Sequence, residues 1–582
     1  MREPTMKPNP LTTLALLALL LALAAAARFA NLDSRPMHAD EAVQTYIFSD
    51  LLEHGDYRYD PSHFHGPLPH FINLSLLSAL GIHSLDTLQA WQFRLQPALA
   101  GLLLVLLAGA CAGGGASANA ATRHRAILLA AVSPTLVYFS RMAIHETLLA
   151  LCALAVPFAA ARWLEGREGR EGRKKRWLLA AAVAFGCMHA TKETWSVIAF
   201  SWAVAAVVLV VMRPRKAGAI GSNATLLPGN ARVPRAASGV PPDACLGAWA
   251  GRPSQHACRV RHPEAGARSR RTAFAAALTT VTALELVTAL ALAAAVAMGI
   301  SFLLYSDFCR HPAGFADAWR TLFAYRTGGG HEKPWWYFLT DILGFYRAGN
   351  WFAGEGVICL LALAGGVAAW RRRQRHRQAR DTAKAAIPPL PLFLAVSGVA
   401  QVIVYSIIKY KTPWLMLVPL ASFVPLAAHG WACLRGEPSG RARFSWRAAA
   451  CALAIAAGLV APMLTSNFIA PTNTDYRFVY APTLPEADAE LSRIAATLSL
   501  SADANANAQV AVIGDDYWPL PWYFRTLRER AGYFSEADAP PPAQLRAFAL
   551  VIHAGPQLDP TVTGQGWRLL ELRPGYYVSV SR

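Results

Sequence analysis

Arg35-Pro36-Met37-His38-Ala39-Asp40-Glu41 follows directly on the first long apolar run, Leu11 to Ala30, and the reading of that junction decides the fold. A run of about 20 apolar residues spans roughly 30 Å of hydrocarbon as a helix. Adjacent carboxylates placed where a chain leaves that hydrocarbon are costly to keep there, so they read as a functional site by default. The structural alternative, a pair that only anchors a helix end at the interface, stays open from this stretch alone. Consecutive helical residues point in different directions, which favours one proton acceptor and one structural or substrate-orienting carboxylate over twin roles. Asp40 and Glu41 are the expected reaction centre.

The same apolar pattern recurs along the chain. Its 582 residues are 54% apolar and 16% charged, with 17 Trp, 17 Tyr and 25 Phe. Further runs cover Phe93 to Ala112, Ala126 to Phe139, Ala143 to Ala161, Trp177 to His189, Trp195 to Met212, Ala273 to Tyr305, Gly354 to Trp370, Leu390 to Ile408, Trp414 to Cys433 and Ala448 to Met463. With the first run this predicts a polytopic α-helical membrane protein of about 11 spans. Arg2 and Lys7 precede a first run that is longer than a signal-peptide core, so it reads as an uncleaved span with the N-terminus inside. An odd count then puts the C-terminus outside. Leu68 to Ile82 is shorter and carries His70 and Asn73, which suits an interfacial or re-entrant helix; counting it as a span would invert every later loop.

The net charge of +19 tests this map. Arg123 and Arg125, the cluster from Arg162 to Arg176, Arg213 to Lys216, Arg371 to Arg380, and Arg435 to Arg447 all fall in loops predicted to be cytoplasmic. The basic excess is thereby explained by membrane topology and implies no nucleic acid. The nine cysteines form no C-x-x-C pair, and most lie in or beside apolar runs, so disulfides are not expected to hold the fold. Residues 213–271 are Gly/Pro/Ala-rich without hydrophobic periodicity and read as a disordered cytoplasmic insert near anionic headgroups.

The domain map is therefore a transmembrane domain over 1–466, with external loops 31–91 and 306–353, and an extracytoplasmic α/β domain over 467–582. In the latter, Glu486 to Leu498 reads as an amphipathic helix, and Gln509 to Gly514 and Phe548 to Ala554 as buried strands. Trp567 to Ser581 reads as two strands around a turn at Pro574-Gly575.

On this map the unusual polar residues gather on the external side. They are His38, Asp40 and Glu41; His63 and His65; Arg141, His145 and Glu146; Lys192 and Glu193; His331 to Trp336, including Lys333; and Lys409 to Trp414, including Lys411. A carboxylate can take a proton from an acceptor hydroxyl, while interfacial Lys and Arg hold a lipid phosphate and stabilise its charge as it leaves. That pairing suits transfer of a sugar from a polyprenyl phosphate. Ordinary readings stand beside it. The lysines can snorkel to headgroups, although positive residues are sparse on an outer face. Arg141 and Glu146 can be a buried structural pair. Trp335, Trp336 and Trp414 can be interfacial belt residues. His63 and His65, with Asp40 or Glu41, are candidate ligands for a divalent metal, but no spacing fixes the set.

At these residues the chain resembles a known family. R-P-M-H-A-D-E-A (Arg35 to Ala42), Y-D-P-S-H-F-H-G-P-L (Tyr59 to Leu68), S-R-M-A-I-H-E (Ser140 to Glu146), T-K-E-T (Thr191 to Thr194), H-E-K-P-W-W-Y (His331 to Tyr337), Y-K-T-P-W (Tyr410 to Trp414) and D-Y-W-P-L-P-W-Y (Asp516 to Tyr523) carry it. They resemble the GT-C membrane glycosyltransferases, in the group of the dolichyl-phosphate-mannose protein mannosyltransferases and aminoarabinose transferases. Within that group they are most similar to the prokaryotic flippase activity-associated proteins. The resemblance implies that Asp40 corresponds to the acidic residue acting as base, with Glu41 beside it, and that a lipid-linked donor is used with inversion at the anomeric carbon. It implies a glycosyltransferase of the inner membrane whose partners are a polyprenyl-phosphate-linked sugar, membrane lipid and a flippase or glycan-assembly protein. The competing expectation is a non-enzymatic transport factor for a lipid-linked glycan. A solute transporter is disfavoured, since no inverted repeat is visible and the polar residues crowd one face.

Overall fold

The computed structural model describes residues 9–62, 65–113, 120–165, 171–212, 283–324, 331–378, 389–434, 446–504, 509–564 and 566–581. The expected disorder of 213–271 and the candidate ligand His63 lie outside the described residues.

Among these residues, seven helices are long and apolar enough to cross a membrane, beginning with α1, Pro10–Phe29. The other four predicted runs are also helical: one is interrupted, Trp195–Val211 has 17 residues, and Glu171–His189 and Gly356–Gln378 are long enough but basic at one end. Ser133-Pro134 breaks one of them into Ala120–Val132 and Pro134–Ser140, with the Ser133 hydroxyl accepting from Leu136 N at 3.2 Å. That Ser-Pro pair starts a new helix by capping it and by occupying the one position where a missing N–H costs nothing. Leu68–Ala79, which the sequence reading kept out of the span count, is a helix of 12 residues.

Leu417–Leu434 runs through the middle of the bundle and is buried along most of its length. It lies against Gly356–Gln378 at backbone contact. A Cβ on Gly430 would sit 1.8 Å from the Leu361 carbonyl oxygen, so only glycine permits this approach.

A second hydrophobic core lies at one end of the bundle. It joins Phe48, Leu51 and Leu52 of α2 (Ala39–His54) and Leu77 to Leu491, Val512, Leu520, Phe524, Ile552 and Val578 near the C-terminus. The C-terminal elements are the helix Pro485–Ala504 and a five-stranded sheet. With β1 and β2 forming a small hairpin (Tyr346–Ala348 and Trp351–Ala353), the sheet comprises β3 Val510–Ile513, β4 Ala531–Phe534, β5 Leu550–Gly555, β6 Trp567–Arg573 and β7 Tyr576–Ser581. Their order is β4-β3-β5-β7-β6, parallel across β4, β3 and β5 and antiparallel thereafter. Val512 stands opposite Ile552, and Ile552 opposite Val580, so one buried row crosses three strands. The expected helix and four strands are present; β4 is an addition. Its four residues Ala-Gly-Tyr-Phe, none fully buried, are too short and too mixed to signal a strand locally.

The polar constellation and two described basic residues stand at different ends of the helices. His38, His65, Glu146, Lys192, His331 and Tyr410 meet at the end carrying the second core. The basic Arg125 lies over Trp431 at 6.0 Å, and Arg162 over Trp177 at 5.8 Å, at the opposite ends of those helices. The seven described cysteines are free thiols.

Candidate functional site

The junction between α1 and α2 is built from hydrogen bonds that the sequence dictates locally. His38 caps α2: its Nδ1 accepts from Asp40 N at 3.1 Å, and Glu41 reaches back to accept from His38 N at 3.2 Å. This is a capping box with histidine in the first position. Arg141 closes the end of α1 by donating to the carbonyls of Ala30 at 2.6 Å and Asn31 at 2.9 Å, with longer bonds to Ala27 and Arg28. A guanidinium there satisfies carbonyls that a helix end leaves unpaired and lies at the negative end of its dipole.

The two neighbouring carboxylates go separate ways. Glu41 is fully buried, held by Arg94 through two bonds of 2.7 Å and by Ala143 N at 2.8 Å. Burial alone would raise its pKa; Arg94 first, then Arg35 and the Ala143 amide, outweigh this and hold it at about 2. Every strong acceptor direction of Glu41 is used within the protein, which leaves it no reach toward a substrate. Asp40 keeps a side chain 46% exposed and opens onto a cavity of about 310 Å³.

That cavity is lined by Asp40, Val43 and Gln44 of α2, by His65, by His145 and Glu146 at the start of the helix Glu146–Leu164, and by Lys192, Glu193 and Thr194. Tyr405, Tyr410, Thr412 and Trp414 complete it. Gly66 brings the His65 segment close: Gly66 N donates to Thr191 O at 3.1 Å, and a Cβ on Gly66 would stand 2.2 Å from the Ala190 carbonyl. His65 Nδ1 then meets Glu193 at 3.2 Å, with the His145 ring 4.8 Å away. Lys192 forms a buried ion pair with Glu146. Burial works against its ammonium, yet Glu146 and Glu193 more than offset that and raise its pKa. Burial likewise pushes the His145 pKa well down, with His65, His70 and Lys192 adding to the effect. Among the described residues Gln44 Oε1, His145 Nδ1 and Thr412 Oγ1 are buried at this cavity without a protein partner. Unpaired buried polar atoms at a cavity wall favour a polar occupant.

Of the residues the sequence singled out, Asp40, His65, His145, Glu146, Lys192, Glu193, Tyr410, Thr412 and Trp414 line the cavity together. The others stand back from it. His38 lies beneath, its Nε2 at 3.0 Å from the Tyr480 carbonyl. Lys333 lies 5.9 Å over the Tyr480 ring, Lys409 is exposed, and the buried Lys411 donates to the Ile408 carbonyl. Arg141 and Glu146 are not partners of each other, because each already has a better one in the α1 carbonyls and Lys192. Within the described residues the group with metal-ligand spacing is Asp56, Asp307 and His311, outside the cavity lining. There Arg58 pairs with Asp56 at 3.1 Å and Arg310 with Asp307 at 3.2 Å, so the group is an ion-pair clasp between two loops.

No family model and no curated protein matches the chain by sequence. Solved structures do match. ArnT from Cupriavidus metallidurans superposes over 98% of this chain and 98% of its own, with a TM-score of 0.55 at 14% identity. The same protein bound to undecaprenyl phosphate covers 97% of this chain with the same TM-score of 0.55. This is the GT-C fold. The Archaeoglobus fulgidus oligosaccharyltransferase tethered to an acceptor peptide also matches, with a TM-score of 0.50 at 12% identity, over 92% of this chain and 64% of its own.

Within the GT-C fold of this chain, several site residues escaped the sequence reading. Arg94 is one, although a cation at the mouth of an apolar run needs a carboxylate partner, and that signal was present in Trp91-Gln92-Phe93-Arg94. Tyr480 is another: its hydroxyl bonds His331 Nδ1 at 2.7 Å and its carbonyl meets His38. Nothing local marks a tyrosine in a linker for such a place.

Proposed function

We propose that this protein is a membrane glycosyltransferase that moves a hexosyl or pentosyl group from a polyprenyl phosphate to an acceptor hydroxyl, at the extracytoplasmic face of the inner membrane. The observation that carries the reading is that Asp40 of α2 and Lys192 of a turn far away in sequence line one cavity at one end of the helical bundle. A likeness in fold to ArnT, solved with undecaprenyl phosphate, supports it.

In the proposed step the acceptor oxygen attacks the anomeric carbon, the bond from that carbon to the phosphate oxygen breaks, and the phosphate leaves on its lipid. Asp40, the half-exposed carboxylate, takes the acceptor proton. Lys192 stabilises the phosphate as its charge grows. It enters the step already paired with Glu146, so the donor phosphate shares this ammonium and does not find it free. Attack from the face opposite the leaving phosphate inverts the anomeric carbon. Glu41 acts by position: locked to Arg94 and capping α2, it fixes where Asp40 points. His65, Glu193 and Asp40 line the cavity but do not stand at metal-ligand spacing, so no part of the step is routed through a divalent cation.

The test is transfer by purified protein with a panel of polyprenyl-phosphate sugars, with and without added Mg2+, and with Asp40→Asn as control. Product formation that disappears in the variant supports the reading. Full activity in Asp40→Asn removes Asp40 from the step, and lipid binding without a covalent product leaves a carrier-binding protein instead.

A further inference from the structure

The motif Asp516 to Tyr523 plays no part in the step above, yet it stands beside it. Leu520, Trp522 and Tyr523 turn into the second core. Asp516, Tyr517 and Trp518 stay at least partly open. Asp516 pairs with Arg573, whose guanidinium lies 4.2 Å over the Tyr576 ring and donates to the Trp518 carbonyl at 3.3 Å. The Trp518 ring meets Tyr46 edge to face with centroids 5.9 Å apart, and Tyr517 lies 5.8 Å from Trp518. Tyr46 is 61% exposed and belongs to the same helix as Asp40. Tyr46 follows Asp40 on α2 by about 9 Å of helix rise, so the ledge and the Asp40 cavity share one helix.

We propose that the ledge formed by Tyr46, Trp518, Tyr576 and the Asp516–Arg573 pair is the acceptor subsite, and that the acceptor it receives is a saccharide. The inference rests on the transferase reading and adds the class of acceptor. A sugar ring offers a flat C–H face and a rim of hydroxyls. Partly exposed aromatic faces cover the first, while a fixed carboxylate and guanidinium bond the second. An aliphatic chain gains nothing from the ion pair and would have to strip it of water. The headgroup-belt explanation that suits Trp335 and Trp336 does not extend to this ledge. Its rings sit on the C-terminal sheet and on α2, which is packed into the second core. A chain of two or more sugar units seated on the ledge is long enough to span the helix rise between Tyr46 and Asp40.

The experiment uses the full-length protein in phosphatidylcholine nanodiscs and saturation-transfer NMR. The probes are defined hexasaccharides of glucose, mannose, galactose and rhamnose, with a serine-containing dodecapeptide as competitor. At least one hexasaccharide receives saturation, and Tyr46→Ser and Trp518→Ala each weaken it about fivefold or more, while Trp335→Ala, at an exposed ring outside the ledge, leaves it unchanged. Tyr46→Ser guards against a folding artefact because the side chain is mostly exposed, and a thermal melt confirms the fold. Absence of binding by every hexasaccharide overturns the proposal, as does binding insensitive to Tyr46→Ser, or displacement by the peptide. Failure of the transferase reading is recognised separately, as full transfer by Asp40→Asn with ledge binding intact.

Discussion

The helical bundle and the region at its end are built from similar apolar side chains but are joined in opposite ways. In the bundle each span is a local object, about 20 residues that satisfy their own backbone hydrogen bonds before they meet a neighbour. In the second core, Phe48 packs on His70 and Phe93 from nearby in the chain, and the cluster is completed by Leu520, Phe524 and Ile552, contributed from the far end. The cavity lies where these two kinds of construction meet. The bundle supplies Glu146 and Tyr405, the second core aims Asp40, and loops deliver Lys192 and His65. A scaffold made of local pieces therefore holds a site made of distant ones.

The sharpest way to break this comparison is at the two neighbouring carboxylates. Asp40→Asn is expected to lower transfer by about 10²- to 10⁴-fold while leaving the melting temperature unchanged. A large loss of stability in that variant would mean that Asp40 belongs to the scaffold. Glu41→Gln is expected to act the other way round, costing about 3–5 kcal/mol because Arg94 is left buried without its carboxylate. Denaturation in detergent, followed by circular dichroism, separates the two.

The Glu41–Arg94 pair also sets a pH dependence. The folded-state pKa of Glu41 is depressed, so its contribution is complete above about 4.5 and is lost as the pH falls through about 2. Stability should be flat from neutral pH to about 5 in this respect and decline below that, and the decline should be smaller in Glu41→Gln.

Phe524→Ala then tests whether the second core aims the site. Truncating a fully buried ring should cost about 3–5 kcal/mol. It should also lower transfer at temperatures where the bundle remains helical. Normal transfer in that variant would show that α2 is held by the bundle alone. The smallest expected effect is that of Lys192→Met. It should lower kcat/KM for the donor by about 10- to 100-fold, in line with the loss of about 1.5–3 kcal/mol for a charged hydrogen bond, with little change in the acceptor KM. A change confined to the acceptor would move Lys192 to the other half of the site.

The same contrast explains what was legible in the sequence. The described apolar runs are helices, and Arg125 and Arg162 stand at the other end from the acidic junction, because the bilayer imposes a rule on each short segment by itself. Asp40, Lys192, His65, Glu146 and Glu193 were found for a related reason: polar groups at span ends are conspicuous against their surroundings. Glu41 was grouped with Asp40 because one residue of spacing carries no information about which partner waits on each face. Only Arg94, 53 residues away, decides that. Lys409 and Lys411 carry the right charge at the right boundary and stand outside the cavity all the same. The extended turn at Thr412-Pro413 presents Thr412 and Trp414 to the cavity in their place. Strand β4 and Tyr480 gave no local signal, since each is defined by what it pairs with.

The bond from His38 to the Tyr480 carbonyl joins residues 442 positions apart. At roughly 5–20 residues per second of synthesis, that interval is roughly 20 to 90 seconds. During that time the ribosome has already threaded the early acidic helix into place, but its roof does not yet exist. The junction between α1 and α2 is thus completed last, by the tail end of translation, and a prematurely terminated chain would reach the bilayer with the His38 ring lacking this partner.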